Sequence, residues 1–194
     1  MELDLPGCRI RSWRDGDQLS LARHANDLQV WRNVRDQFPH PYTDADADAW
    51  IARVVGHEPE TQFAIEVNGE VAGGVGLMLQ EDVARHSAEI GYWMGQAYWG
   101  RGIMTDVVRR MTRWGFASLN LYRVYALVFE WNPASRRVLE KAGYRLEGRL
   151  RKAVLKDGQL LDQFAYAVTR DDPPYGEPDT APWTPGSSPR TLMS

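Results

Sequence analysis

The chain has 194 residues, of which 43% are apolar and 25% charged, an ordinary composition for one soluble globular domain. Its formal net charge of −3 gives no basic footprint for nucleic acid, and Cys8, the sole cysteine, excludes an internal disulfide framework and a cysteine-cluster metal site. No segment approaches the roughly 18 apolar residues of a membrane span, and MELDLPGCRI lacks the basic and apolar regions of a secretory leader, so no membrane partner is expected and the cytoplasm is the expected compartment.

CRIRSW (8–13) alternates as a first strand, with Cys8 as a small buried side chain. RDGDQLSLARHAND (14–27) then offers Asp15 as an N-cap and Leu19, Leu21 and Ala22 on one helical face. VWRNVRDQFPHPYT (30–43) is aromatic-rich and broken by Pro39 and Pro41, so it is a poor helix. Thr43 can cap the helix that follows through DADADAWIARVV, whose acidic first turn suits the helix dipole.

TQFAIEV and EVAGGVGLML flank Asn68-Gly69, a strong hairpin signal, and HSAEIGYWMG reads as the next strand of an antiparallel meander. From Ile103 to Ala117, Met104, Val107, Val108, Met111, Trp114 and Phe116 recur near helical spacing with Arg109, Arg110 and Arg113 opposite, an amphipathic helix that covers a sheet. YRVYALVFEW (122–131) is nearly continuously apolar, which predicts burial on both faces. NPASRRVLEKAGY then supplies Asn132 as N-cap, Pro133 at the first helical position and Gly143 as the stop.

Residues 144–169 predict two more strands around Asp157-Gly158, for a sheet of about seven strands. The last segment, 171–194, holds six of the chain's 11 prolines and no apolar periodicity, so it reads as an extended tail behind a domain spanning 1–170. Tyr175 or Trp183 is expected to dock on the body or on a second subunit, the latter giving a homodimer.

YWGRGIMTD (98–106) is a strand-loop-helix junction in which Gly100 and Gly102 let the backbone turn, and the next helix presents unpaired N–H groups suited to a phosphate. Taken alone it is compatible with either a phosphate cradle or a tight turn. It is neither the dinucleotide fingerprint nor a Walker loop, because position 105 is threonine and no G-K-[ST] is present.

The combination AEIGYWMGQAYWGRGIMT, a buried strand, and NPASRRVLEKAGYRLEG (132–148) resembles the GNAT superfamily of acyl-CoA-dependent N-acyltransferases, in its RimJ/RimL-like branch. The match covers Trp99, Gly100, Arg101, Gly102, Ile103, Met104 and Thr105 in the pyrophosphate loop, and Asn132, Ser135, Glu140, Lys141, Gly143 and Tyr144 in the second motif. RDQFPHPYTDADADAWI and LKDGQLLDQFAYAV extend the likeness over about residues 8–170. One departure is Ala97, which stands where the superfamily often has Gln or Arg.

The resemblance implies a mixed α/β fold: a mostly antiparallel sheet with splayed parallel strands, flanked by about four helices. It implies acetyl-CoA as the acyl donor, no metal, and a pantetheine arm pairing with the strand Ile90, Tyr92, Trp93 and Met94. An amine must be neutral to attack a thioester, which calls for a proton acceptor and an acid for the leaving thiolate. Glu89, on the strand that the resemblance sets beside the thioester, is the candidate base, and Ser135 the candidate acid or thiol-positioning group. Asn132 combines a helix cap with a coenzyme contact, and Tyr144 is a reserve donor to the sulfur.

Trp31, Asn33, Arg35, Phe38 and His40, with Tyr42, form a loop that by resemblance walls the acceptor groove. An imidazole is the side chain suited to proton transfer near neutral pH, so His40 is a candidate to orient or deprotonate an amine. His24, His57 and His86 have no metal-ligand spacing among them. Arg35 and Arg101 are candidates for an acidic acyl chain, such as a succinyl donor, or for the coenzyme 3′-phosphate. The implied acceptor is a protein N-terminal α-amine, with a small amine as the second reading and a non-catalytic acyl-CoA sensor as the reading from another class. Cys8, far in sequence from the loop, argues for direct transfer in a ternary complex over an acyl-enzyme.

Overall fold

The computed structural model describes residues 1–176. A single mixed sheet runs through it in the order β1-β2-β3-β4-β5-β6-β8-β7. The strands are β1 (Glu2–Leu5), β2 (Cys8–Ser12), β3 (Gln62–Val67), β4 (Glu70–Leu79), β5 (Ser87–Met94), β6 (Arg123–Phe129), β7 (Arg145–Lys156) and β8 (Gln159–Thr169). Five α-helices accompany them: α1 (Gln18–Ala25), α2 (Leu28–Trp31), α3 (Asp44–Val54), α4 (Ile103–Ser118) and α5 (Pro133–Lys141).

The sheet has eight strands where about seven were expected, because Glu2–Leu5 pairs antiparallel with β2 through a reversal at Pro6-Gly7, where Gly7 has φ +81°. Only Leu3 and Leu5 of that short strand pack onto the core, too weak an alternation to stand out in sequence. The extra helix is α2, a single turn capped by Asp27, whose side chain accepts from the Gln29 N–H at 2.7 Å.

Local signals set most boundaries. Asn68 and Gly69 both have positive φ (53° and 86°), and so do Asp157 and Gly158 (50° and 69°), as two-residue hairpins require. Thr43 forms a full capping box with Asp46 at the start of α3, and Asn132 accepts from the Ser135 N–H at the start of α5, where Pro133 follows. The start of α1 differs from expectation: Asp17, not Asp15, holds the N-cap position, and it makes no side-chain cap bond. Its carboxylate is taken by the buried Arg11 of β2 at 2.7 and 2.8 Å and by the Arg14 N–H at 3.0 Å, so a strand-to-helix ion pair outcompetes the local cap.

Strand alternation divides the interior into two cores, one on each face of the sheet. Phe63, Ile65, Ala72, Leu77, Ala88 and Ile90 pack with Val107, Val108 and Met111 of α4 and Leu139 of α5. Each such fully buried helix side chain contributes about 1.5–3 kcal/mol relative to exposure. Ala64 and Val71 face the other way, onto Trp13, Leu21 and Ala25 of the α1 side and Ala47 and Ile51 of α3. On β6 only one face is fully buried, since Val124, Ala126 and Val128 are covered while Tyr125 and Leu127 are half-buried; the strand borders an open cavity rather than a continuous layer.

Candidate active site

β5 and β6 are the only parallel neighbours in the described sheet, and they pair at just three positions, Ser87↔Arg123, Ala88↔Val124 and Glu89↔Tyr125. From Ile90 onward β5 keeps β4 on one side and has no strand partner on the other. The divergence opens a V with Glu89 at its apex, and a cavity of about 900 Å³ fills it, within the range of small-molecule sites.

The cradle lies beyond the end of β5. Gly100 and Gly102 have φ of +75° and +84°, and a Cβ built on either would meet no atom within 4 Å, so the backbone is bare toward open space. The N–H groups of Gly100, Arg101, Gly102, Ile103 and Met104 have no backbone partner among the described residues, and they stand at the N-terminus of the 16-residue α4. Such donors, aligned with a helix dipole, suit a pyrophosphate. Trp99 donates its indole N–H to the Met94 carbonyl at 2.6 Å, which ties the loop to the strand, and Thr105 is buried at the first turn. The Arg101 guanidinium turns back to the Ala97 carbonyl at 2.8 Å and over the Tyr98 ring at 5.3 Å, shaping the loop from within.

One wall of the V carries hydroxyls. Ser135, in the first turn of α5, lies 2.8 Å from the Tyr92 hydroxyl, and Asn132 fixes its backbone by accepting the Ser135 N–H at 3.0 Å. Burial pushes the Tyr92 phenol well above its ordinary value, so it stays a neutral donor. Ile90 and Met94 share the α4-side core with it.

The apex carries charge. Glu89 is 12% exposed at its side chain and accepts from Arg35 at 2.5 Å. Trp93 points to the same side, against Phe38 at a ring distance of 5.3 Å, and Phe38 stacks on Tyr42 at 4.9 Å. Burial together with the nearby Asp46 carboxylate pushes the Tyr42 phenol up to about 12. The loop bearing Arg35 and Phe38 is anchored from afar: the buried Lys156 at the end of β7 pairs with Asp36 at 2.6 Å and lies 3.8 Å from the Trp31 ring centre.

Most of the residues singled out in sequence line this one cavity: Glu89 and Ser135; Ile90, Tyr92, Trp93 and Met94; Trp99 through Thr105; Asn132; and Asn33, Arg35 and Phe38. Trp31 and His40 stand outside its walls, stacked on each other at 5.5 Å, because Lys156 holds Trp31 on the far side of the loop. Tyr144 is corrected as a donor to the sulfur: it is buried in the core with its hydroxyl 2.6 Å from Thr112 and is not part of the cavity wall. Cys8 lies on β2 outside the cavity, and burial, reinforced by Asp106, pushes its thiol up to about 11.

Tyr175 docks on the body, donating to the Ala142 carbonyl at 2.6 Å and packing edge-on to Phe116; Trp183 lies outside the described residues. Sequence reasoning missed Asp46, Ala49, Trp50 and Arg53 of α3, which all line the cavity. Their spacing of three, four and seven is one helical stripe, a signal that was present in the sequence.

A parallel strand pair that splits around a cavity of about 900 Å³, lined by a glycine cradle, an acid and a hydroxyl, is the arrangement of an acyl-CoA-dependent acyltransferase. Residues 8–145 match the Acetyltransferase (GNAT) domain, and the chain belongs to that family of acetyltransferases. It is 27% identical over 183 residues to the ribosomal protein uS5-alanine N-acetyltransferase of Escherichia coli (strain K12), covering 90% of this chain and 86% of that protein. Its fold is similar to that of Mycobacterium smegmatis RimJ in complex with CoA-disulfide, with a TM-score of 0.78, 24% identity and coverage of 90% and 88%. It is also similar to the spermidine N-acetyltransferase of Vibrio cholerae in complex with CoA and spermine, with a TM-score of 0.72, 19% identity and coverage of 87% and 98%. Among the described residues no helix is long and apolar enough to cross a membrane.

Proposed function

We propose that the protein transfers an acetyl group from acetyl-CoA to a protein N-terminal α-amine by direct attack in a ternary complex. The observation that carries this reading is that Glu89, Ser135 and the Gly100–Gly102 cradle line one cavity. The cradle N–H groups hold the pyrophosphate, the unpaired edge of β5 from Ile90 to Met94 holds the pantetheine arm, and Arg137 and Lys141 of α5 add cations for phosphate at the same cavity.

Glu89 accepts the proton of the incoming ammonium, directly or through one water, so that a neutral amine attacks the thioester. Ser135 then donates to the departing sulfur, held in place by the Tyr92 hydroxyl on one side and the Asn132 cap on the other. The raised thiol of Cys8, outside the cavity, is no nucleophile at neutral pH, which supports direct transfer. The relationship to the uS5-alanine enzyme supports an N-terminal amine as acceptor over a small one.

Titration calorimetry with acetyl-CoA, followed by a thiol-release assay on N-terminal peptides and on small amines, tests the reading. Binding with turnover on peptides supports it. Turnover confined to small amines overturns the acceptor, and binding without any turnover makes the protein an acyl-CoA sensor.

A further inference from the structure

Two carboxylates line the cavity among the described residues, Asp46 and Glu89, and both are already engaged. Asp46 accepts the backbone N–H and the hydroxyl of Thr43 at 2.8 and 2.5 Å, as half of the α3 capping box. Glu89 accepts from Arg35. The two guanidinium groups on the same side are far less committed. Arg35 is 53% exposed at its side chain and spends one nitrogen on Glu89. Arg53 lies over the Trp50 ring at 4.5 Å and has no ion-pair partner among the described residues. The surface between these charges is aromatic, formed by Phe38, Tyr42, Trp50 and Trp93.

A guanidinium carries five N–H donors in a rigid fork, so Arg35 can hold Glu89 and still present donors to a second carboxylate. An acceptor with a second positive charge near its amine meets two cations and no free acid here. An acceptor with a carboxylate near its amine meets two exposed guanidinium groups above an apolar floor.

We propose that this mouth selects acceptor amines that carry a carboxylate close by, with Arg35 as the main specificity-determining residue and Arg53 as the second. Resting on the N-terminal reading above, the substrate class is a polypeptide with Asp or Glu directly after its first residue. Dicationic amines are poor acceptors.

The test measures kcat/KM for two acceptor series. One comprises peptides that differ only in an Asp, Asn or Lys as second residue; the other comprises a carboxylated amine, a neutral amine and a diamine of matched length. Wild type should rank acidic over neutral over basic, with about tenfold between the extremes, the ratio that one charge-assisted contact supports. Arg35→Gln should bring the extremes within about twofold, chiefly through KM, and Arg53→Gln should narrow them less. Each ratio is taken on one enzyme sample, so a loss of folded protein cancels. A preference for the basic acceptor, or an order unchanged in both variants, overturns the proposal. Charge order kept among small amines with no peptide acetylated sinks the N-terminal reading alone. Peptides turned over without charge order sink the charge selection alone.

Discussion

The two walls of the V are built on different principles. The side proposed for the coenzyme is contiguous chain: the end of β5, the glycine loop and the start of α4 run from residue 90 to about 105 without interruption, and the donors are backbone N–H groups. The acceptor wall is assembled from the loop after α2, one stripe of α3, and a lysine 120 positions away from the aspartate it holds. A wall of backbone groups changes little with side-chain identity, whereas a wall of paired side chains can be retuned by single substitutions. Under the proposed function, binding of the common donor and choice of the particular acceptor are separated in space and in sequence.

Substitutions should respect that division. The largest effect is expected for Glu89→Gln, which keeps size and loses basicity: kcat should fall about 100-fold or more with coenzyme affinity within a few-fold. A tenfold loss of acetyl-CoA affinity in calorimetry would instead make Glu89 a structural residue. Next comes Gly102→Val, which forces a β-branched residue to φ +84°. At about 1–3 kcal/mol of backbone strain, coenzyme affinity should fall roughly ten- to hundredfold while the acceptor KM hardly moves.

Ser135→Ala and Tyr92→Phe remove the two ends of one 2.8 Å hydrogen bond. Each should lower kcat by about tenfold, and the double variant should be little worse than either single one, as partners in one network are not additive. Independent, multiplying losses would separate Tyr92 from the serine. Lys156→Met replaces a buried cation by an apolar side chain of similar length and releases Asp36. The acceptor KM should rise a few-fold as the Arg35 loop loosens, with coenzyme affinity unchanged; the reverse pattern would unseat the division between the walls. The smallest effect is expected for Cys8→Ala, whose activity should stay within about twofold because a thiol held near 11 stays protonated at neutral pH.

The locally encoded elements, the glycine loop among them, were the legible ones. Asn68-Gly69, Thr43 with Asp46, Asn132-Pro133 with Gly143, and Asp157-Gly158 each act within a few residues, so their turns and caps can be read directly from the chain. Asp17 stands at the N-cap position expected for Asp15, and its deciding partner, Arg11, lies on a neighbouring strand, so nothing local announces the pair. For the same reason the acceptor loop was recognised as a wall while its orientation was not: Lys156 turns Trp31 and His40 away and leaves Asn33, Arg35 and Phe38 facing in. Tyr144 follows a helix end beside the coenzyme motif, yet Thr112, on a different helix, draws its hydroxyl into the core.

The most direct measurement is thiol release with acetyl-CoA and an N-terminal peptide varied together. Two amino-acid walls that hold donor and acceptor at once require intersecting double-reciprocal lines for the wild type. The same pattern should survive in Cys8→Ala, with the rate lost in Glu89→Gln. Parallel lines, or an acetylated enzyme isolated in the absence of acceptor, would contradict direct transfer across the V.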